Sequence, residues 1–124
     1  SSGTNPYGLV SEDFNKDGNL DLAMCNEGSS NIAILLGNGS GSFQAATNFT
    51  SGGTLPSSIV ADDFNNDNKT DLAVTNTGAN NIIIFLGYGN GGFQTPGTSY
   101  AASSSPLLLV SGDFNSDGRI DLAV

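Results

Sequence analysis

Asn81-Ile82-Ile83-Ile84-Phe85-Leu86 is the stretch on which the fold turns. A strand in a sheet with one wet face alternates apolar and polar residues, whereas this run is apolar on both faces. It must therefore be covered on each side. Parallel α/β sheets achieve that with helices, but no helical period exists anywhere in the chain. The cover has to come from neighbouring sheets, and four-stranded sheets stacked face to face around an axis make a β-propeller.

The run is also part of a repeat. Asn31-Ile32 through Leu36-Gly37 matches Asn81-Ile82 through Leu86-Gly87. Asp13-Phe14-Asn15 returns as Asp63-Phe64-Asn65 and Asp113-Phe114-Asn115, a step of 50 residues both times without an insertion. Asp21-Leu22-Ala23 matches Asp71-Leu72-Ala73 and Asp121-Leu122-Ala123, and Pro6, Pro56 and Pro106 fall in register. A fixed period of this size signals a solenoid, a propeller or an array. Kelch repeats have a similar period but rely on a glycine doublet and aromatic anchors including Trp, which is absent here. A β-helix needs much shorter coils.

Each unit divides into four expected strands. The first covers 58–62, with copies at 8–12 and 108–112; the second covers 70–75, the third 81–86, and the fourth begins near Phe93. The expected fold is all-β: four-stranded antiparallel propeller blades at residues 1–50 and 51–100, with the first half of a third at 101–124. About two and a half blades cannot close a ring. The chain therefore reads as a segment of a larger propeller, whose remaining blades, or self-association, would cover exposed apolar faces.

Composition excludes several functions. Of 124 residues, 12 are acidic, three basic and none histidine, for a net charge of −9. Such a chain offers no electrostatic footprint for nucleic acid or an anionic membrane. No apolar run is long enough for a membrane helix, so membrane insertion is not expected. Lack of histidine removes the commonest general base and zinc ligand. The lone Cys25 excludes an internal disulfide framework and reads as a small buried hydrophobe in the second strand. No nucleophile has a base beside it, so no enzyme activity is expected.

The acids are not scattered. Nine of the 12 lie in one motif present three times: Asp13-x-Asn15-x-Asp17-Gly18-x-x-Asp21, Asp63-x-Asn65-x-Asp67-Asn68-x-x-Asp71 and Asp113-x-Asn115-x-Asp117-Gly118-x-x-Asp121. Oxygen-bearing side chains occupy positions 1, 3, 5 and 9, and position 7 can add a backbone carbonyl. That donor set suits Ca²⁺, which takes six to eight hard oxygens. Zinc prefers His and Cys, and magnesium tolerates crowded carboxylates poorly. Two carboxylates about 4 Å apart repel by about 4 kcal/mol at an effective dielectric of about 20, so a cation between them has much to offset. Glycine at position 6 permits a positive φ; Asn68 takes its place in the second loop, where weaker binding is expected. The start is like an EF-hand, but Met24, Val74 and Val124 stand where the closing Glu belongs. Three bound Ca²⁺ would bring the charge from −9 to −3.

With this period and loop, the chain resembles the FG-GAP/VCBS repeat family, the calcium-binding blades of integrin α-subunit-like propellers and of secreted adhesion-type proteins. The resemblance implies up to three Ca²⁺ ions. The first is held by Asp13, Asn15, Asp17, Asp21 and the carbonyl of Asn19. The second takes Asp63, Asn65, Asp67, Asp71 and the carbonyl of Lys69, and the third Asp113, Asn115, Asp117, Asp121 and the carbonyl of Arg119. The Phe-Gly and Gly-Ala-Pro tags are absent, which places the chain nearer the VCBS branch and leaves an integrin-like partner without support. An extracellular or cell-surface interaction module, binding a protein or glycan, is the leading expectation. A lectin-type propeller, with exposed Tyr88 stacking on sugar, and a non-catalytic domain of a secreted hydrolase or lyase are the alternatives. In a secreted eukaryotic protein Asn38, Asn48 and Asn68 would begin glycosylation sequons, of which Asn68 is discounted because a glycan there would crowd the second metal loop.

Overall fold

The computed structural model describes residues 3–124. Two four-stranded antiparallel sheets follow one another. The first runs in the order β1 (Pro6–Glu12), β2 (Asp21–Asn26), β3 (Asn31–Leu35), β4 (Thr47–Thr50). The second repeats it with β5 (Pro56–Asp62), β6 (Asp71–Asn76), β7 (Asn81–Phe85) and β8 (Thr98–Ala101). A two-stranded sheet of β9 (Val110–Gly112) and β10 (Asp121–Ala123) is the third. Each neighbouring pair is consecutive in sequence, so every blade is a simple meander. The fold is all-β with propeller-type blades; among the described residues, one 3-10 turn at Glu27–Ser29 interrupts it.

The second strand shifts by one residue from the sequence reading, the third ends one residue earlier, β9 begins at Val110 rather than at 108, and two further differences mark the full blades. The first strand of each full blade begins at its proline, Pro6 or Pro56, two residues earlier than expected. A register shift between Pro6 and Gly8, and between Pro56 and Ser58, absorbs the missing proline N–H. The fourth strand begins later, at Thr98 rather than near Phe93. Phe93 makes only an isolated bridge to Gly87, as Phe43 does to Gly37, because the glycine-rich turn has to complete itself first.

The apolar run of β7 is covered on both faces, as its composition requires. Ile83 and Phe85 join Phe14, Ile32, Ile34, Ile59, Leu72, Val74 and Phe93 in the core between the first two blades. Ile82 and Ile84 turn the other way, against Leu109 and Leu122 of the third sheet. Phe85 is fully buried and meets Phe49 edge-on at 5.1 Å between ring centroids. Phe93 meets Phe14 similarly at 5.6 Å. Such a ring contributes about 1.5–3 kcal/mol by burial, with each aromatic pair adding about 0.5–1.5 kcal/mol.

The two junctions between blades use different chemistry. Between blades 1 and 2, buried Cys25 packs where a Cβ on Gly8 would come within 2.8 Å of its Sγ, with Ile59 beside it. Between blade 2 and the third sheet, the corresponding Thr75 and Ser58 are hydroxylic. Ser57 Oγ bonds to Thr75 Oγ1 at 3.0 Å and donates to the carbonyl oxygens of Pro106 and Leu107 at 3.2 and 3.0 Å. Thr77 Oγ1 donates to Pro106 at 2.7 Å, and Ser58 Oγ accepts the Leu109 amide at 3.2 Å.

Candidate metal centre

The three acidic motifs are the connections β1–β2, β5–β6 and β9–β10, here loops 1, 2 and 3. Each folds around its own side-chain oxygens. The position-1 carboxylate accepts two amides: Asp13 takes Asp17 N at 3.1 Å and Gly18 N at 2.8 Å. Asp63 does the same with Asp67 and Asn68, and Asp113 with Asp117 and Gly118. The position-3 amide oxygen accepts the position-5 N–H at 3.0, 2.8 and 2.9 Å in loops 1, 2 and 3. Position 5 in turn accepts the position-7 amide, from Asn19, Lys69 and Arg119, at 2.8, 2.9 and 2.9 Å. Asp13, Asn15 and Asp17 are thereby gathered on shared amides, and so are their counterparts.

Closing the loop so tightly needs two left-handed residues. Position 6 is one, with φ of 87° at Gly18, 62° at Asn68 and 82° at Gly118. Position 4 is the other, with φ of 62° at Lys16, 59° at Asn66 and 62° at Ser116. The sequence pointed to the first through its glycines and concealed the second, since three unrelated residue types occupy it.

Position 9 has a different setting. Asp21 is fully buried, and each carboxylate oxygen accepts one backbone N–H: Phe14 at 2.9 Å and Gly37 at 2.7 Å. Asp71 repeats this with Phe64 at 3.1 Å and Gly87 at 2.8 Å. Asp121 accepts Phe114 at 3.2 Å. This aspartate therefore clamps the start of its loop to the end of the third strand, a role the sequence reading did not include. The signal was there in Gly37 and Gly87, which recur in register. A Cβ at either would overlap the carbonyl oxygen of Leu20 or Thr70, so only glycine brings its amide close enough.

Electrostatics follow the hydrogen bonds. The Asn19 amide, helped by the Asn15 side chain, holds the Asp17 carboxyl below its ordinary value. The Gly118 amide does the same for Asp113. Asp71 is pushed up by burial, against the pull of the Gly87 and Phe64 amides. At Asp67 burial acts upward, but the Lys69 side chain and amide, the Asn65 side chain and the Lys69 charge outweigh it and leave the carboxyl lowered.

The donor chemistry fits a hard cation, being oxygen throughout. Among the described residues, however, no three His, Cys, Asp or Glu side chains form a compact cluster of their own. Position 3 is an amide, and in loops 1 and 2 position 9 gives one lone pair of each oxygen to an N–H group. The loops are thus organised by their own amides, with lone pairs remaining on positions 1, 3 and 5.

No match was found among curated proteins. The FG-GAP-like repeat profile matches residues 13–74 and 63–124, so each match runs from one acidic loop through the second strand of the next blade. Loop, strand order and profile agree: the chain belongs to the FG-GAP-like repeat family.

Proposed function

We propose that the chain is a calcium-stabilised, non-catalytic interaction module of an extracellular propeller, serving adhesion or ligand recognition. The observation that carries this reading is the threefold recurrence of an all-oxygen loop whose positions 1, 3 and 5 are pre-arranged by backbone amides. Calcium would be held by Asp13, Asn15 and Asp17 and their counterparts, with the position-7 carbonyl and a further lone pair of the position-9 carboxylate available. It supplies charge neutralisation and pins the loop between the first two strands of each blade. Asn at position 3 lowers the ligand charge, which suits the millimolar calcium outside cells. Among the described residues, no helix is long and apolar enough to cross a membrane.

Thermal melting in calcium and in EGTA tests the reading. At a free calcium concentration 100 times the Kd, each site adds about 2.7 kcal/mol. The melting temperature should rise with calcium and not with equimolar magnesium; equal melting in calcium and EGTA refutes it.

A second reading, glycan binding, is favoured by one groove. Asn48, Phe49, Tyr88 and Phe93 line a cavity of about 230 Å³ between the outer strands of blade 1 and the β7–β8 turn. Tyr88 is 56% exposed there, which leaves a ring face for stacking beside an amide. A glycan array with the native chain and Tyr88→Ala decides it: Tyr88-dependent binding supports a lectin, and an empty array eliminates it.

A further inference from the structure

Loop 2 balances its charge differently from its two copies. The chain has three basic residues, Lys16, Lys69 and Arg119, and two of them converge on loop 2. Lys69 Nζ lies 3.2 Å from Asp67 Oδ2, the one ion pair among the described residues. Lys16, at position 4 of loop 1, reaches out of its own blade and donates from Nζ to the Asn68 carbonyl at 2.5 Å. In loops 1 and 3 the corresponding position-5 oxygen accepts the position-3 side-chain amide, with no ion pair beside it among the described residues. Asn15 Nδ2 donates to Asp17 Oδ2 at 2.9 Å, and Asn115 Nδ2 to Asp117 Oδ2 at 3.2 Å. Position 4 of loop 2 is Asn66, so no second ammonium is passed on to loop 3.

We propose that Lys16 and Lys69 are affinity-setting residues that supply loop 2 with an internal counter-charge, so that it takes calcium last of the three loops. The inference rests on the calcium reading above. Its physical basis is simple repulsion. A single positive charge about 6 Å from a divalent ion, in a water-like dielectric and screened over a Debye length of about 8 Å, weakens binding by about threefold, and two such charges by about tenfold. Lys69 also occupies a lone-pair region of Asp67 Oδ2, an oxygen that the calcium reading assigns to the metal. An exposed lysine–carboxylate pair is too weak to lock the loop, so it sets affinity rather than forbidding entry. Because Lys16 is borrowed from the preceding blade, the setting belongs to the junction and not to loop 2 alone.

A calcium chloride titration of the intact chain followed by amide NMR reads the loops separately, through the backbone signals of Asp17, Asp67 and Asp117. The native chain should show the Asp67 midpoint at higher calcium than the other two. The Lys16→Gln/Lys69→Gln double variant, altered at one exposed and one half-buried position, should lower the Asp67 midpoint by about tenfold and leave Asp117 unmoved. Each single variant, expected at about threefold, guards against a poorly folded double. Equal midpoints in the native chain, or an Asp67 midpoint that moves with Asn68→Gly but not with the lysine variants, overturns the proposal while leaving calcium binding intact. No response at any of the three amides overturns the calcium reading and the proposal with it.

Discussion

The Asp21 carboxylate accepts the Gly37 amide at 2.7 Å across a separation of 16 residues, while its other oxygen accepts Phe14. One side chain thus joins the first residues of loop 1 to the end of β3, from a fully buried position. Its consequence is that position 9 matters to the fold before any metal arrives. Replacing Asp21 by Asn turns one acceptor into a donor facing an N–H. The expected cost is about 1–3 kcal/mol, read by urea unfolding in EGTA. A variant that loses stability only when calcium is present would assign Asp21 to metal binding alone.

Gly37→Ala should be destabilising for the complementary reason. The added Cβ collides with the Leu20 carbonyl, which is backbone and has little freedom to move. Overpacking of this kind costs about 1–3 kcal/mol, and Gly87→Ala against Thr70 should behave alike. Chemical denaturation measures both; an unchanged midpoint in either would mean the third strand ends further from the loop than described.

Phe85→Ala removes the largest fully buried side chain of the core and leaves Phe49 without its edge-on partner. A loss of about 3–5 kcal/mol is expected. Ile84→Ala, on the opposite face of the same strand and only partly buried, should cost clearly less. Equal losses would contradict the two-sided packing of β7.

Cys25 should stay unreactive in the native state. It is fully buried, and burial pushes its thiol above the ordinary value of 9.0. A folded value above the unfolded one means that the folded state resists ionisation. Its stabilising contribution is complete below about pH 9 and is lost as the pH climbs towards the folded value. Maleimide labelling at pH 8 should therefore follow global unfolding in urea. Rapid labelling without denaturant would show the blade 1–2 junction to be open.

Much of this was legible because the repeat states it three times. The covering of β7 on both faces followed from five successive apolar residues, and the loop oxygens from their fixed spacing. What stayed hidden were groups without a residue-type signature. The left-handed position 4 is held by Lys16, Asn66 and Ser116, none of which advertises it. The clamp at position 9 uses backbone amides, which every residue carries. The reach of Lys16 to Asn68 depends on how two blades face each other, a relation no single repeat contains. The late start of β4 and β8 was missed because Phe43 and Phe93 look like strand residues while serving as turn bridges.

The two junction chemistries also act as an assembly code. Blades built on one plan could in principle stack in any order, since their backbones are interchangeable. Gly8 and Cys25 leave a small apolar socket against Ile59, whereas Ser57, Thr75 and Thr77 present hydroxyls that need the Pro106 and Leu107 carbonyls. Set against the face that carries Ile59, those hydroxyls would lose the Pro106 and Leu107 carbonyls and be buried beside hydrocarbon. Sequence drift between the copies thus makes each junction chemically distinct, so that the face of one blade is matched to its own neighbour rather than to any copy.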